Sequence, residues 1–223
     1  MYKAILEGKK TQTRRICPIQ PAHSNEEWQP VSIVEKDGKD KKKIYYAHIR
    51  NDSAFHDMRK FFNYKYLPDE VIYVKEPYAE TGDEYGIPVM AYKYTDEAFA
   101  LGIDTIYFDT KLENWIIDNY PAGGKWGNPL FMPEKYARLF LRIKRCRIER
   151  VRAISNEDCF TEGIYETRDV NNIRCYTWDE NDPYIWLSPQ KAYAALFNKI
   201  NGKGSYEANP YVFVYQFKIE ERK

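Results

Sequence analysis

The run Tyr211–Ile219, YVFVYQFKI, constrains this chain more than any other stretch. A β-strand sends successive side chains to opposite faces. Here the apolar residues occupy both parities, so a strand made from them must be covered on both faces. The run is far shorter than the ~20 apolar residues a membrane helix needs, and no apolar run elsewhere in the sequence approaches that length. The spacing therefore predicts a central strand in a sheet, and the rest of the chain must supply its neighbours and its cover.

Several segments read as those neighbours. Thr11 to Cys17 predicts a strand halted by Pro18, with Thr11, Thr13 and Arg15 on one face. VSIVE (31 to 35) and KIYYAHI (43 to 49) flank a polar Asp-Gly turn and predict a peripheral hairpin. VIYVK (71 to 75) has apolar residues on both sides and predicts a central strand. LFLRIKRCRIERV (139 to 151) predicts a long strand whose apolar phase changes at Lys144–Arg145, a bulge signature. Strands are also expected at Val89 to Tyr94 and Thr105 to Phe108.

Helix signals are fewer. Tyr2 to Glu7 ends at Gly8, a residue suited to a left-handed C-cap. Ser155 with Asp158 three residues on forms a capping-box pattern for a helix closed by Gly163. A polar, aromatic-rich loop follows to residue 187. Ser188–Pro189 opens a second capped helix reaching Asn201 before Gly202. Short strands with interposed helices predict a single α+β domain around a curved sheet or small barrel, with insertions at 24–66 and 78–125.

The formal net charge of +1 conceals an uneven distribution. Lys3, Lys9, Lys10, Arg14 and Arg15 face a single nearby acid, Glu7. Lys135, Arg138, Arg142, Lys144, Arg145, Arg147, Arg150 and Arg152 face only Glu149. The segment 78–125 is acidic. Such asymmetry permits an anionic ligand. The N-terminus lacks the apolar segment of a signal peptide, so the expected address is the cytoplasm and no membrane is expected as a partner. Cys17, Cys146, Cys159 and Cys175 form no C-x-x-C and read as free thiols. His23, His48 and His56 show no metal-ligand spacing, so neither a metal nor a cofactor is expected.

No G-x-S-x-G, H-E-x-x-H or Walker loop is present. What remains is G-x-K-x-x-T-x-R, formed by Gly8, Lys10, Thr13 and Arg15. A turn, an ammonium, a hydroxyl and a guanidinium in that order can hold a phosphate or a nucleobase carbonyl.

AILEGKKTQTRR resembles the N-terminal signature of the ASCH domain, a member of the PUA-like β-barrel superfamily. DEVIYVKEPY (69 to 78), KWGNP (125 to 129), the segment 132 to 164 and the segment 192 to 218 resemble, in this order, one subgroup found among bacterial and phage-borne ASCH proteins. The chain carries Asp69–Glu70 where relatives usually carry Gly-Asp. It also starts within what would be the end of the relatives' first strand, which predicts one exposed sheet edge.

The resemblance implies a PUA-like barrel with a cleft for RNA or a modified nucleoside or nucleotide. Some small ASCH proteins hydrolyse acylated cytidine with a Lys, a Thr and a Glu; those fall here on Lys10, Thr13 and Glu162. In that reading Lys10 takes the Thr13 proton, Thr13 attacks an amide carbonyl, Glu162 serves the leaving amine, and Arg15 stabilises charge or holds a phosphate. Ligand binding without turnover at Gly8, Lys10, Thr13, Arg15 and Glu162 is the first expectation. Amide hydrolysis is the second. A phage or mobile-element accessory role through protein partners is the third. Lys144, Arg145, Arg147, Arg150 and Arg152 are candidate phosphate contacts. Tyr176, Trp178 and Trp186 read either as a stacking platform or as packing. Oligomeric state is left open.

Overall fold

The computed structural model describes residues 2–18, 20, 27–34, 44–50, 58–63, 65–82, 88–92, 98–100, 127–179 and 184–220. The chain divides into two compact units, one formed mainly by Lys3–Val71 with Arg142–Lys218 and the other by Ile72–Leu141. Within these residues lie helix α1 (Tyr2–Leu6) and strands β1 (Gln12–Ile16), β2 (Glu27–Val34), β3 (Ile44–Arg50), β4 (Met58–Asn63), β5 (Val71–Tyr73), β6 (Tyr78–Gly82), β7 (Pro88–Tyr92), β8 (Ala98–Ala100) and β9 (Phe140–Arg150). Helix α2 (Asn156–Thr161), strands β10 (Tyr165–Arg168) and β11 (Arg174–Thr177), helix α3 (Pro189–Asn201) and strand β12 (Tyr211–Glu220) complete the set.

The architecture is α+β, built mostly from antiparallel strands with few helices. The largest sheet has the order β1-β12-β9-β5. β12 is central, as its sequence requires: Tyr211 to Tyr215 are all buried. β1 pairs with it antiparallel, Gln12 opposite Gln216 and Ile16 opposite Val212. The burial of β9 follows the predicted change of phase. Leu139, Leu141 and Ile143 are buried, Lys144 and Arg145 are both exposed, and Ile148 is buried again.

The expected barrel does not close. The described strands fall into four separate sheets of four, two, three and three strands. Closure abolishes edges only if each strand finds two neighbours. Here β1 and β5 are the ends of the largest sheet. The expectation that 71 to 75 is central is corrected by the same order: β5 is terminal and Val71 is 41% exposed.

The predicted hairpin is present as β2–β3, with a register shift between Val31 and Ile33, but β4 extends it to a three-stranded sheet. The turn between its strands lies outside the described residues. β6, β7 and β8 form another antiparallel sheet; the strand expected at Thr105 to Phe108 lies outside the described residues. The polar segment read as a loop contains the β10–β11 hairpin. Its turn is local chemistry: the Asp169 carboxylate accepts from the Asn171 and Ile173 N–H groups, and Asn172 adopts φ +64.

The first unit's core joins Val151, Ile154, Cys159 and Ile164 to Ala192, Tyr193 and Phe197 of α3 and to Val212 and Val214 of β12. In the second unit Met132 and Ala137 are covered by Tyr73, Tyr78, Tyr136 and Phe140. There Glu76, 1% exposed, is held by a bidentate Arg138, with Nε 3.1 Å from Oε1 and Nη2 2.6 Å from Oε2. A two-point fork of this kind compensates a buried carboxylate that would otherwise be costly.

Candidate functional site

Local backbone geometry brings the two halves of the site together. α1 stops at Gly8, which adopts φ +70, and the Lys10 N–H then donates back to the Ala4 carbonyl at 2.8 Å. α2 starts on the Ser155 hydroxyl, which accepts the Asp158 N–H at 3.0 Å, and ends at Glu162 before Gly163 at φ +98. A β-carbon at Gly163 would sit 3.6 Å from the Lys10 Cβ, so the position requires glycine for its backbone conformation rather than for space. Lys10 and Glu162 form an antiparallel bridge, supported by the Thr11 N–H donating to the Thr161 carbonyl at 2.9 Å.

Side chains then follow the backbone. The Lys10 Nζ donates to the Glu162 carbonyl at 2.7 Å and to its Oε2 at 2.8 Å. Both side chains are buried, at 6% and 4% exposure. The other carboxylate oxygen of Glu162 accepts from Arg14 Nη1 at 3.0 Å. Arg14 also donates through Nη2 to Glu149 Oε1 at 2.6 Å and to Asp158 Oδ2 at 2.7 Å. Arg147 closes the set, reaching Glu149 Oε2 at 2.8 Å, Asp158 Oδ2 at 2.7 Å and Gln12 Oε1 at 3.1 Å. Three cations and three carboxylates thus neutralise one another in a largely buried network.

Electrostatics follows from this packing. Burial alone would discourage charge on Arg14, but Glu162 and Glu149 outweigh it and raise its pKa. Burial alone would raise the Asp158 carboxyl, but Arg14 and Arg147, with hydrogen bonds from Gln12 and Arg14, bring it below the ordinary carboxylate value. A depressed folded-state pKa means stability that is present above the unfolded value, about 3.9, and lost as pH falls through the folded one. The unfolding midpoint in urea is therefore expected to hold at neutral pH and to decline below about pH 4. Asp158→Asn removes that titration, and a variant with an unchanged acid limb counts against Asp158 as its source.

Beside the network lies a cavity of about 90 Å³. Tyr193, Leu196, Phe197 and Ile200 of α3, spaced as one helical face, form an apolar wall with Trp178. Lys10, Thr13, Arg14, Arg15, Glu162 and Gly163 form the polar side, and Ala4 and Asn201 also line it.

Of the residues singled out in the sequence, Lys10, Thr13, Arg15 and Glu162 line this one pocket, and Gly8 turns the chain that leads to it. Arg15 is exposed and Thr13 half-buried. The basic candidates of β9 scatter. Lys144, Arg145 and Arg152 are exposed. Arg147 is tied into the ion network, and Arg150 lies 4.0 Å over the Tyr211 ring and donates to the Asn209 carbonyl. Trp178 stacks on Trp186 at 4.5 Å, and both pack against the first unit's core beside Tyr176.

Arg14 and Asp158 were not among the sequence candidates. Alternation was the available signal for Arg14: with Thr13 and Arg15 on one face, Gln12 and Arg14 fall on the other, and both are buried. Asp158 was read as the closing member of a capping box. Its N–H takes the cap, but its carboxylate turns to the arginines.

All four cysteines are free. Burial pushes the thiols of Cys17, Cys146 and Cys159 up to about 12, which suits structural rather than reactive cysteines. Among the described residues no group of three acids, histidines or cysteines is placed to hold a metal, and no helix is long and apolar enough to cross a membrane.

The chain was compared with protein-family models, with curated proteins and with solved structures. It matches none of them.

Proposed function

We propose that this pocket binds one unpaired nucleobase, carried by a nucleoside or nucleotide or by single-stranded RNA. The observation that carries the reading is the meeting of Lys10 and Glu162, 152 residues apart in sequence, at the polar side of a cavity whose opposite wall is aromatic and aliphatic. Small-molecule sites combine such an apolar wall with a few placed polar groups. At about 90 Å³, against the ~150 Å³ of a dry cavity that holds benzene, the cavity has room for at most one ring, part of it left outside. The resemblance of AILEGKKTQTRR to the ASCH signature supports the same reading, with the sheet left open rather than closed into a PUA-like barrel. Lys144, Arg145 and Arg152, exposed on or just beyond β9, remain candidate phosphate contacts when the ligand is RNA.

Titration calorimetry with the four common ribonucleosides and a short single-stranded RNA tests this. Binding is expected, and Leu196→Trp, which fills the cavity from α3, is expected to weaken it by roughly tenfold or more, as loss of one to two kcal/mol of contact would. Absence of binding at millimolar ligand, or binding indifferent to Leu196→Trp, would overturn the proposal.

A second reading, hydrolysis of an acyl amide on a cytidine nucleoside, draws support from Lys10, Thr13 and Glu162 lining one pocket. It requires the Lys10 Nζ to turn from Glu162 towards the Thr13 hydroxyl once substrate enters. Release of acetate from an acetylated cytidine, abolished by Thr13→Val, distinguishes turnover from binding.

A further inference from the structure

Three consecutive residues of β1, Thr13, Arg14 and Arg15, line the pocket. Side chains on a strand alternate between faces, so three in a row are not reached through side chains on one face. They are reached along the edge of the strand, and β1 is the terminal strand of its sheet.

The register shows which main-chain groups point out of that edge. In an antiparallel pair, directly opposed residues alternate between those that exchange hydrogen bonds and those whose N–H and C=O point away. The Cys17 N–H donates to Tyr211 and the Phe217 N–H donates to Thr11, which fixes the odd-numbered residues as the bonded set. The pairing between these two contacts is regular, with Thr13 opposite Tyr215 and Arg14 opposite Val214. The N–H and C=O of Gln12, Arg14 and Ile16 therefore point away from β12. Arg14 is 5% exposed as a residue while its side chain is 0% exposed, so what it presents to the pocket is main chain.

We propose that the Arg14 N–H and C=O are the base-reading groups of this pocket, and that they bind the Watson–Crick edge of a pyrimidine. The inference rests on the nucleobase reading above and names the edge and ring class it selects. A donor and an acceptor side by side on one residue match a base edge that offers an acceptor next to a donor: O4 or O2 beside N3–H in uracil, N3 beside the N4 amine in cytosine. The cavity volume favours one ring over two. The Lys10 end of the edge is occupied by the 161–162 segment through the Thr11–Thr161 hydrogen bond and the Lys10–Glu162 bridge, which leaves little length for an added peptide strand. Glu162, Lys10 and the Arg14 side chain are spent on one another, and of the remaining polar groups, Thr13, Arg15, Asn201 and the Arg14 main chain, the last has its donor and acceptor held fixed by the strand. A base already paired in a duplex presents no such edge, and the site selects unpaired positions.

The test compares uridine, 5-methyluridine and N3-methyluridine by calorimetry, with the amide signals of ¹⁵N-labelled protein followed in parallel. Uridine and 5-methyluridine are expected to bind within about threefold of each other. N3-methyluridine loses the donor and is expected to bind at least roughly tenfold more weakly, the effect of one buried hydrogen bond lost with its partner stranded. The Arg14 amide is expected to shift on binding uridine. If uridine binds but N3-methylation makes no difference, or the Arg14 amide stays unmoved, this inference fails while the pocket reading stands. If neither uridine nor cytidine binds, both fail. Binding of an extended peptide with shifts at Gln12, Arg14 and Ile16 together would replace the base with an added strand.

Discussion

Replacing Arg14 with methionine is expected to cost about 3–5 kcal/mol of stability, the range found when one partner of a buried ion network is removed. Its side chain is fully enclosed and is shared among Glu162, Glu149 and Asp158, with the Tyr193 ring 5.7 Å from the guanidinium carbon. Methionine fills much of the volume but leaves three carboxylates to Lys10 and Arg147 alone. Arg14→Lys keeps the charge and loses the fork, since one ammonium cannot address three carboxylates from their different directions; it is expected to fall between the native protein and Arg14→Met. Urea unfolding followed by tryptophan fluorescence reads both. Against a typical total of about 5–15 kcal/mol the loss would move the midpoint far. An Arg14→Met protein unfolding at the native midpoint would show that the network does not hold this part of the fold. High salt is expected to change the native protein's midpoint little, because screening acts weakly on enclosed charges.

The buried parts of the fold were legible where a local rule decides them. YVFVYQFKI had to be central because both parities are apolar, and the caps at Gly8, Ser155, Gly163 and Ser188–Pro189 follow from single-residue chemistry. What escaped was decided by partners distant in sequence. Whether a sheet closes depends on neighbours of β1 and β5 that no local pattern specifies, so the barrel expectation failed. The segment 164 to 187 looked like a loop because its turn is made by one aspartate and its first strand, β10, alternates polar residues outward. At the site the order was reversed: Lys10 and Glu162 were linked through a family resemblance, whereas Arg14, which holds Glu162 from the other side, was passed over in favour of its exposed neighbour Arg15. A motif names positions; burial on alternate positions identifies the guanidinium that carries the network.

Breaking the Lys10–Glu162 pair is expected to have the second large effect, and an asymmetric one. Glu162→Gln withdraws a common anion from two cations, Lys10 and Arg14, and is expected to cost about 3 kcal/mol or more. Lys10→Met leaves Glu162 still bound by Arg14 at 3.0 Å and is expected to cost less. The double variant removes both members of the pair, so its loss should fall short of the sum of the singles by about 1–3 kcal/mol, the coupling of groups in direct contact. If the pocket binds uridine as proposed, the same variants separate a clamp from a binding wall. If the pair only fastens the end of α2 to the start of β1, each single variant loses stability while its folded fraction binds uridine as the native protein does. If the pair also shapes the polar side of the pocket, as its place in the lining beside Thr13 and Arg14 implies, uridine affinity falls in step with stability at pH 7. Lys10→Arg, which keeps the charge but replaces a single ammonium with a broader fork in a space 6% exposed, is then expected to weaken binding more than it weakens the fold.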